Sequence, residues 1–149
     1  MKNLHDAETL NELTMRINKL QPGSQRQWGK MNVAQMMAHL STAIEANLGD
    51  VVHKQNFMGE IFGKIAKNSI VGPKPIKHGL PTDPHFVILD DKDFNTEKQR
   101  LLAVIKRLSA SDPEAQAKNT HPFFGKMTGT EWNALNYKHL DHHLMQFGA

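Results

Sequence analysis

The sequence predicts an all-α fold: a four-helix bundle, with up to five helices and one long crossover loop, in a single domain over residues 1–149. Three observations carry this. Apolar residues recur at three- and four-residue spacing in five separate segments, the signature of amphipathic helices. The first, second and last of those segments begin at good capping residues and end at glycine or proline. Only one long region, from Gly72 to Phe94, loses the pattern altogether.

The first helix is expected from about Asp6, its cap, to Leu20, with Leu10, Leu13, Ile17 and Leu20 on one stripe and Pro22-Gly23 as the stop. The second starts after Asn32 and runs to about Leu48, with Val33, Met36, Met37, Leu40 and Ile44 inward and Gly49-Asp50 beyond it. A third is expected over about Lys54 to Lys67, with Phe57, Ile61 and Ile65 as its buried stripe, although Gly59 and Gly63 weaken the pattern. Pro73, Pro75, Pro81 and Pro84 then forbid a regular helix, and Phe86 to Leu89 reads as a short extended piece in the crossover. The fourth helix covers about Asn95 to Ser109, with Leu101, Val104, Ile105 and Leu108 inward, and Ser109 to Asn119 reads as a loop. Thr128-Gly129-Thr130-Glu131 is a capping box that starts the last helix, which runs to about Phe147 and stops at Gly148. Phe123 and Phe124 are expected to pack under the loop before it.

Composition excludes several functions. There is no cysteine, so disulfides, thiolate metal sites and cysteine nucleophiles are ruled out. The net charge of +3 is too small to argue for nucleic-acid binding. The longest aliphatic run, Leu101 to Ile105, is far short of a membrane span, and the first residues lack the apolar segment of a signal peptide. A soluble, cytoplasmic protein without membrane partners is therefore expected. No Ser-His-Asp set, phosphate-binding glycine loop or paired-carboxylate site is present. Lys64, Lys67, Lys74 and Lys77 form a basic stretch with no acid between Glu60 and Asp83; it reads as solvated, with contact to an anionic substrate as the alternative.

The nine histidines carry the functional argument. His139 and His143 are four apart on the last helix, hence about 40° apart around its axis and one turn apart along it. Two imidazoles so placed reach one ion at about 2.0–2.1 Å. Spacing alone is weak, because this many histidines yield about half such a pair by chance. Leu140 stands where a zinc protease requires a general-base Glu, so that motif is excluded. The third ligand must come from a facing helix, and His39, beside Gln35, Ala43 and Ala46, is the candidate. Three neutral imidazoles suit a divalent transition metal and leave coordination positions open. Trp132, His142 and Gln146 share the inner side of the helix and are candidates for pocket lining, whereas Tyr137, Lys138 and Asp141 point away. His121 is a further candidate for lining. The competing reading is a non-catalytic bundle whose histidines are structural or vestigial and which binds a small molecule or protein.

The segments Trp28–Leu40, His121–Trp132 and His139–Gly148 together resemble the DinB-like superfamily, and more narrowly a bacterial branch of it described as a domain of unknown function. That resemblance implies a four-helix bundle, often dimeric, with a three-histidine metal site. It carries over to His39, His139 and His143, with zinc or nickel as the usual ion. It also implies a metal-dependent hydrolase or thiol-dependent transferase acting on a small molecule. The usual His-His-Arg-Gly-Gln ending is here His142-His143-Leu144-Met145-Gln146, which removes support for a specific thiol cofactor.

Overall fold

The computed structural model describes residues 2–149. Helices α1 (Ala7–Lys19), α2 (Val33–Leu48), α4 (Phe94–Ala110) and α6 (Gly129–Gln146) form the bundle, while α3 (Phe57–Val71) lies against its side. A short α5 (Pro113–Gln116) and a hairpin of β1 (Thr120–His121) and β2 (Gly125–Lys126) precede α6.

The core is the sum of the apolar stripes. Leu13 and Ile17 of α1, Met36, Met37, Leu40 and Ile44 of α2, Leu101 and Leu108 of α4, and Leu140 and Leu144 of α6 are all withdrawn from water. Each such side chain contributes about 1.5–3 kcal/mol on burial, so this interior dominates the stability of the bundle. Capping fixes where the helices begin. The Asn32 side chain accepts from the Gln35 amide at 2.8 Å, and Gln35 returns the bond to the Asn32 amide at 3.0 Å. Thr128 and Glu131 form the same reciprocal pair at the start of α6. Asp6 stands at the cap position of α1, but its side chain makes no capping bond.

Helix α3 departs from expectation. It runs from Phe57 to Val71, later than Lys54–Lys67, and its buried face is the opposite one. Phe57, Ile61 and Ile65 are 73%, 51% and 74% exposed, whereas Gly59 and Gly63 are buried. The glycines are the docking surface: a Cβ on either would come within 2.3 Å of the Phe123 carbonyl oxygen. Hydrogen bonds from Gln55 Nε2 to the Phe123 carbonyl (3.0 Å) and from the Asn56 amide to the Pro122 carbonyl (2.7 Å) hold the hairpin turn there. Helical periodicity located the apolar arc correctly but not the side that packs, because backbone-to-backbone packing leaves no apolar signal.

The other corrections are local. Phe86 ends a 3₁₀ turn, Pro84–Phe86, so Phe86–Leu89 forms no strand. The stretch from Ser109 to Asn119 contains α5, capped by Asp112 with Pro113 at the first position. The hairpin was not foreseen; its strands are two residues each, too short for a period.

Replacing Gly63 with alanine tests the docking. In an ordinary helix interior this change gains about 1 kcal/mol. Here Gly63→Ala is expected to lower stability by about 1–3 kcal/mol through overpacking against the Phe123 carbonyl. The urea midpoint reads it, and a stabilised variant would contradict this packing.

Candidate metal centre

His39 sits in the middle of α2, and His139 and His143 stand one turn apart on α6, which packs against it. The three rings converge. Their centroids are 4.8–4.9 Å apart in every pairing, and one ligating nitrogen from each lies within 4.8 Å of the other two. His39 Nε2 and His139 Nε2 are 2.9 Å apart. His39 and His143 are buried, and His139 keeps part of its surface exposed.

Hydrogen bonds at the far side of two rings fix which nitrogen carries the proton. The Phe86 carbonyl, 2.7 Å from His39 Nδ1, can only accept, so Nδ1–H donates to it and Nε2 keeps its lone pair. At His143 the restraint has two links. Gln146 Nε2 donates to the Trp28 carbonyl at 2.7 Å, which turns Gln146 Oε1 toward His143 Nδ1 at 2.8 Å. His143 Nδ1–H therefore donates, and its Nε2 is also free to ligate. Such outer partners set ring orientation and raise ligand basicity in metal sites. The close approach of the chain at Trp28 requires Gly29, whose φ is +81° and where a Cβ would stand 2.4 Å from Gln146 Nε2.

Burial holds all three rings neutral. Desolvation is the main cause at each, and it pushes the His143 imidazole down to about 3. His139 is driven well below its ordinary value by desolvation and then by His143 and His39. His39 is lowered too, with the Phe86 carbonyl acting the other way. Neutral imidazole is the ligating form.

The donor set fits a divalent transition ion. Three imidazole nitrogens suit zinc, nickel or copper better than calcium or magnesium, which prefer oxygen. Tetrahedral bonds of about 2.0–2.1 Å place ligand nitrogens about 3.3 Å apart. The 2.9 Å pair is already close to that separation, and the three ligating nitrogens all lie within 4.8 Å of one another.

The remaining candidates lie around this centre in different roles. Gln146 is the partner of His143. His142 points elsewhere: its ring meets Trp28 at 5.5 Å and His78 at 5.7 Å, in a group where Trp28 and His78 stack at 3.7 Å. Trp132 is built into a second apolar cluster with Met127 and Leu135 and faces the His121 ring at 5.8 Å. The indole N–H of Trp132 and the amide nitrogen of Asn136, one turn further on, are buried without a hydrogen-bond partner. Tyr137, Lys138 and Asp141 turn away from the triad but not to open solvent. Tyr137 packs against the main core, and Asp141 pairs with Arg16 at 2.7 Å. Lys138 binds the carbonyls of Ile70, Gly72 and Lys74. Sequence reasoning missed Phe86, Trp28 and His78. The first two act through backbone carbonyls, which no side-chain pattern reveals.

The crossover from Gly72 to Asp93 is thus tied down over the site. Lys138 holds its start, His78 stacks on Trp28, the Phe86 carbonyl meets His39, and Gln35 Nε2 reaches the Asp90 carbonyl at 3.2 Å.

A family model described as "Protein of unknown function (DUF1569)" matches residues 2–149. The chain belongs to this family. No curated protein and no solved structure matches it. No helix among the described residues is long and apolar enough to cross a membrane.

His121 gives a pH test. Its Nδ1 accepts from the Phe123 and Phe124 amides, both at 3.1 Å, so the ring must be neutral, and desolvation lowers it to about 4. The unfolded chain, with histidine near 6.5, binds more protons between these values. Stability from this group is complete above about 6.5, falls with pH through the window and levels off below about 4. The loss is on the order of 3 kcal/mol. His121→Asn offers a side-chain oxygen to the same amides without titrating. Denaturant unfolding across pH 4 to 7 should be visibly flatter for it than for the parent chain; identical slopes would contradict this role.

Proposed function

We propose that the protein is a metal-dependent enzyme of the DinB-like type, a hydrolase or thiol-dependent transferase acting on a small molecule. The convergence of His39, His139 and His143 between α2 and α6 supports this reading. His39 Nε2, His143 Nε2 and the His139 ring would hold one divalent ion, with zinc or nickel best matched to the donor set. Bound there, the ion supplies Lewis acidity for hydrolysis or for transfer to a carbonyl.

The chain's own residues prepare for this in three ways. Phe86 and Gln146 hold two rings with their lone pairs inward. The surrounding α2–α6 interface keeps the rings neutral at physiological pH. His139 keeps more of its surface exposed than His39 and His143, which are buried. Acid–base roles are not assigned to these histidines, because ligation uses the lone pair that a base would need.

The same 2.9 Å contact favours a second reading, in which His139 Nε2–H donates to His39 Nε2 as a structural pair in a non-catalytic bundle. Metal binding separates the two. Under the first reading the purified protein carries about one transition ion per chain. Zinc at a hundredfold excess over its dissociation constant should add about 2.7 kcal/mol of stability, a rise of roughly 5–10 °C in melting temperature. Elemental analysis without metal, and a melting temperature indifferent to zinc and nickel, would favour the structural pair.

His139→Ala is expected to abolish the zinc-dependent rise while leaving the helical circular dichroism unchanged, because His139 is no part of the apolar core. His142→Ala should retain the rise. Global unfolding of His139→Ala, or loss of zinc response in His142→Ala, would contradict the assignment.

A further inference from the structure

Two polar groups of α6 have nothing to bind. The indole N–H of Trp132 and the amide nitrogen of Asn136 have no hydrogen-bond partner among the described residues, although the two residues are only 1% and 2% exposed. Buried donors are satisfied almost without exception, and an orphan costs stability that the fold must recover elsewhere. Both stand in line with the metal candidates. At about 100° per residue, Trp132, Asn136, His139 and His143 fall within an arc of about 60°, and Asn136 lies about 4.5 Å before His139 along the axis.

We propose that Trp132 Nε1–H and Asn136 Nδ2 bind the carboxylate of a small-molecule substrate whose other end meets the ion held by the three histidines. The last clause rests on the metal reading; the carboxylate subsite itself does not.

The subsite offers donors only. Asn47 Nδ2 donates to Asn136 Oδ1, which occupies the acceptor of that amide and leaves its N–H groups free. His121 adds a third side, with its ring 5.8 Å from that of Trp132. Its Nδ1 accepts from the Phe123 and Phe124 amides, so its proton is at Nε2, which has no partner among the described residues. An ionised carboxylate is acceptor-only, with about four lone-pair sites for such donors, whereas a hydroxyl or an amide would bring donors of its own. Hydrogen bonds to a charged oxygen are also the stronger kind. Asp83, the acid that acts on His121, is already engaged by His85 at 2.6 Å and by Asn56 at 3.2 Å. A dication on the histidines would add its own attraction.

The facing helix leaves width beside these donors. Asn47 meets Asn136 and His39 meets His139, so the α2 stretch between them faces the part of α6 that joins the donors to the triad. That stretch carries the small residues Ala43 and Ala46, which cluster with Phe86. The Phe86 ring lies 6.1 Å from that of His121, so Phe86, His121 and Trp132 continue one wall. His139 keeps accessible surface and is nonetheless driven well below its ordinary value by desolvation. A side chain with both properties faces a recess and not open water. With a carboxylate at Asn136 and Trp132, the reacting group on the ion is only a few bonds away, which makes a short bifunctional acid the substrate class.

Nitrogen–proton correlation NMR reads the subsite directly. The chain has two tryptophans and hence two indole N–H signals, which Trp132→Phe or Trp28→Phe assigns. Propionate, added near neutral pH at constant ionic strength, should move the Trp132 signal downfield and saturably, with a dissociation constant of about 1 mM. The Trp28 signal should stay still. Propionamide, the neutral isostere, should bind at least about tenfold more weakly. Loading the protein with zinc should tighten propionate about tenfold. A Trp132 signal that ignores propionate in both metal-free and zinc-loaded protein overturns the proposal, as does movement of both indoles together or an equal response to propionamide. An affinity for propionate that bound zinc leaves unchanged overturns the placement beside the ion. A propionate response in a chain that takes up no zinc upholds the subsite and sinks the metal reading alone.

Discussion

Everything at the centre of this molecule depends on taking three imidazole rings out of water between α2 and α6 while keeping their ligating nitrogens bare. Burial is the main cause that makes the rings neutral, and neutrality leaves each with one proton to place. The Phe86 carbonyl and the Gln146 amide settle that placement for His39 and His143 by taking the proton at Nδ1. What is left is a cluster of lone pairs for which the hydrogen bonds among the described residues supply no donor except the third ring. That is an unfavourable grouping for a mere core, and a favourable one for an ion.

This constraint reaches far along the chain. The carbonyl that orients His39 belongs to the crossover, and the amide that orients His143 is itself positioned by the Trp28 carbonyl before α2. Gly29 permits that approach with its left-handed backbone. Lys138, Trp28 and Gln35 then anchor the crossover at points along its length. The long, proline-rich connection is thus the outer shell of the centre, supported by a bundle whose own stability comes from the leucine, isoleucine and methionine interior.

The elements that hold the triad were the easiest to read in the sequence. α2 and α6 have strong caps, clear stripes and histidines at helical spacing, so local rules and tertiary packing agree there. α3 failed because its arc of Phe57, Ile61 and Ile65 is apolar without being buried in the chain, and its true contact is glycine against a backbone carbonyl. Trp132 shares the helical phase of His139 and His143, but seven residues set it about two turns, roughly 10 Å, before His139, in the cluster beside His121. His142 turns toward Trp28 and His78 while its ring stays 5.1 Å from that of His143, since adjacent residues on a helix diverge by about 100°. The apolar run from Phe86 to Leu89 predicts an extended piece, whereas the role of Phe86 lies in a carbonyl group, about which side-chain chemistry says nothing.

The central claim concerns atoms, and X-ray absorption at the zinc edge addresses it most directly. For protein loaded with one equivalent of zinc, the account predicts three imidazole nitrogens at about 2.0–2.1 Å, each with the outer-shell scattering of a rigid ring, and one fewer in His39→Ala. A shell of oxygen alone, or three imidazoles that persist unchanged in His39→Ala, would contradict it.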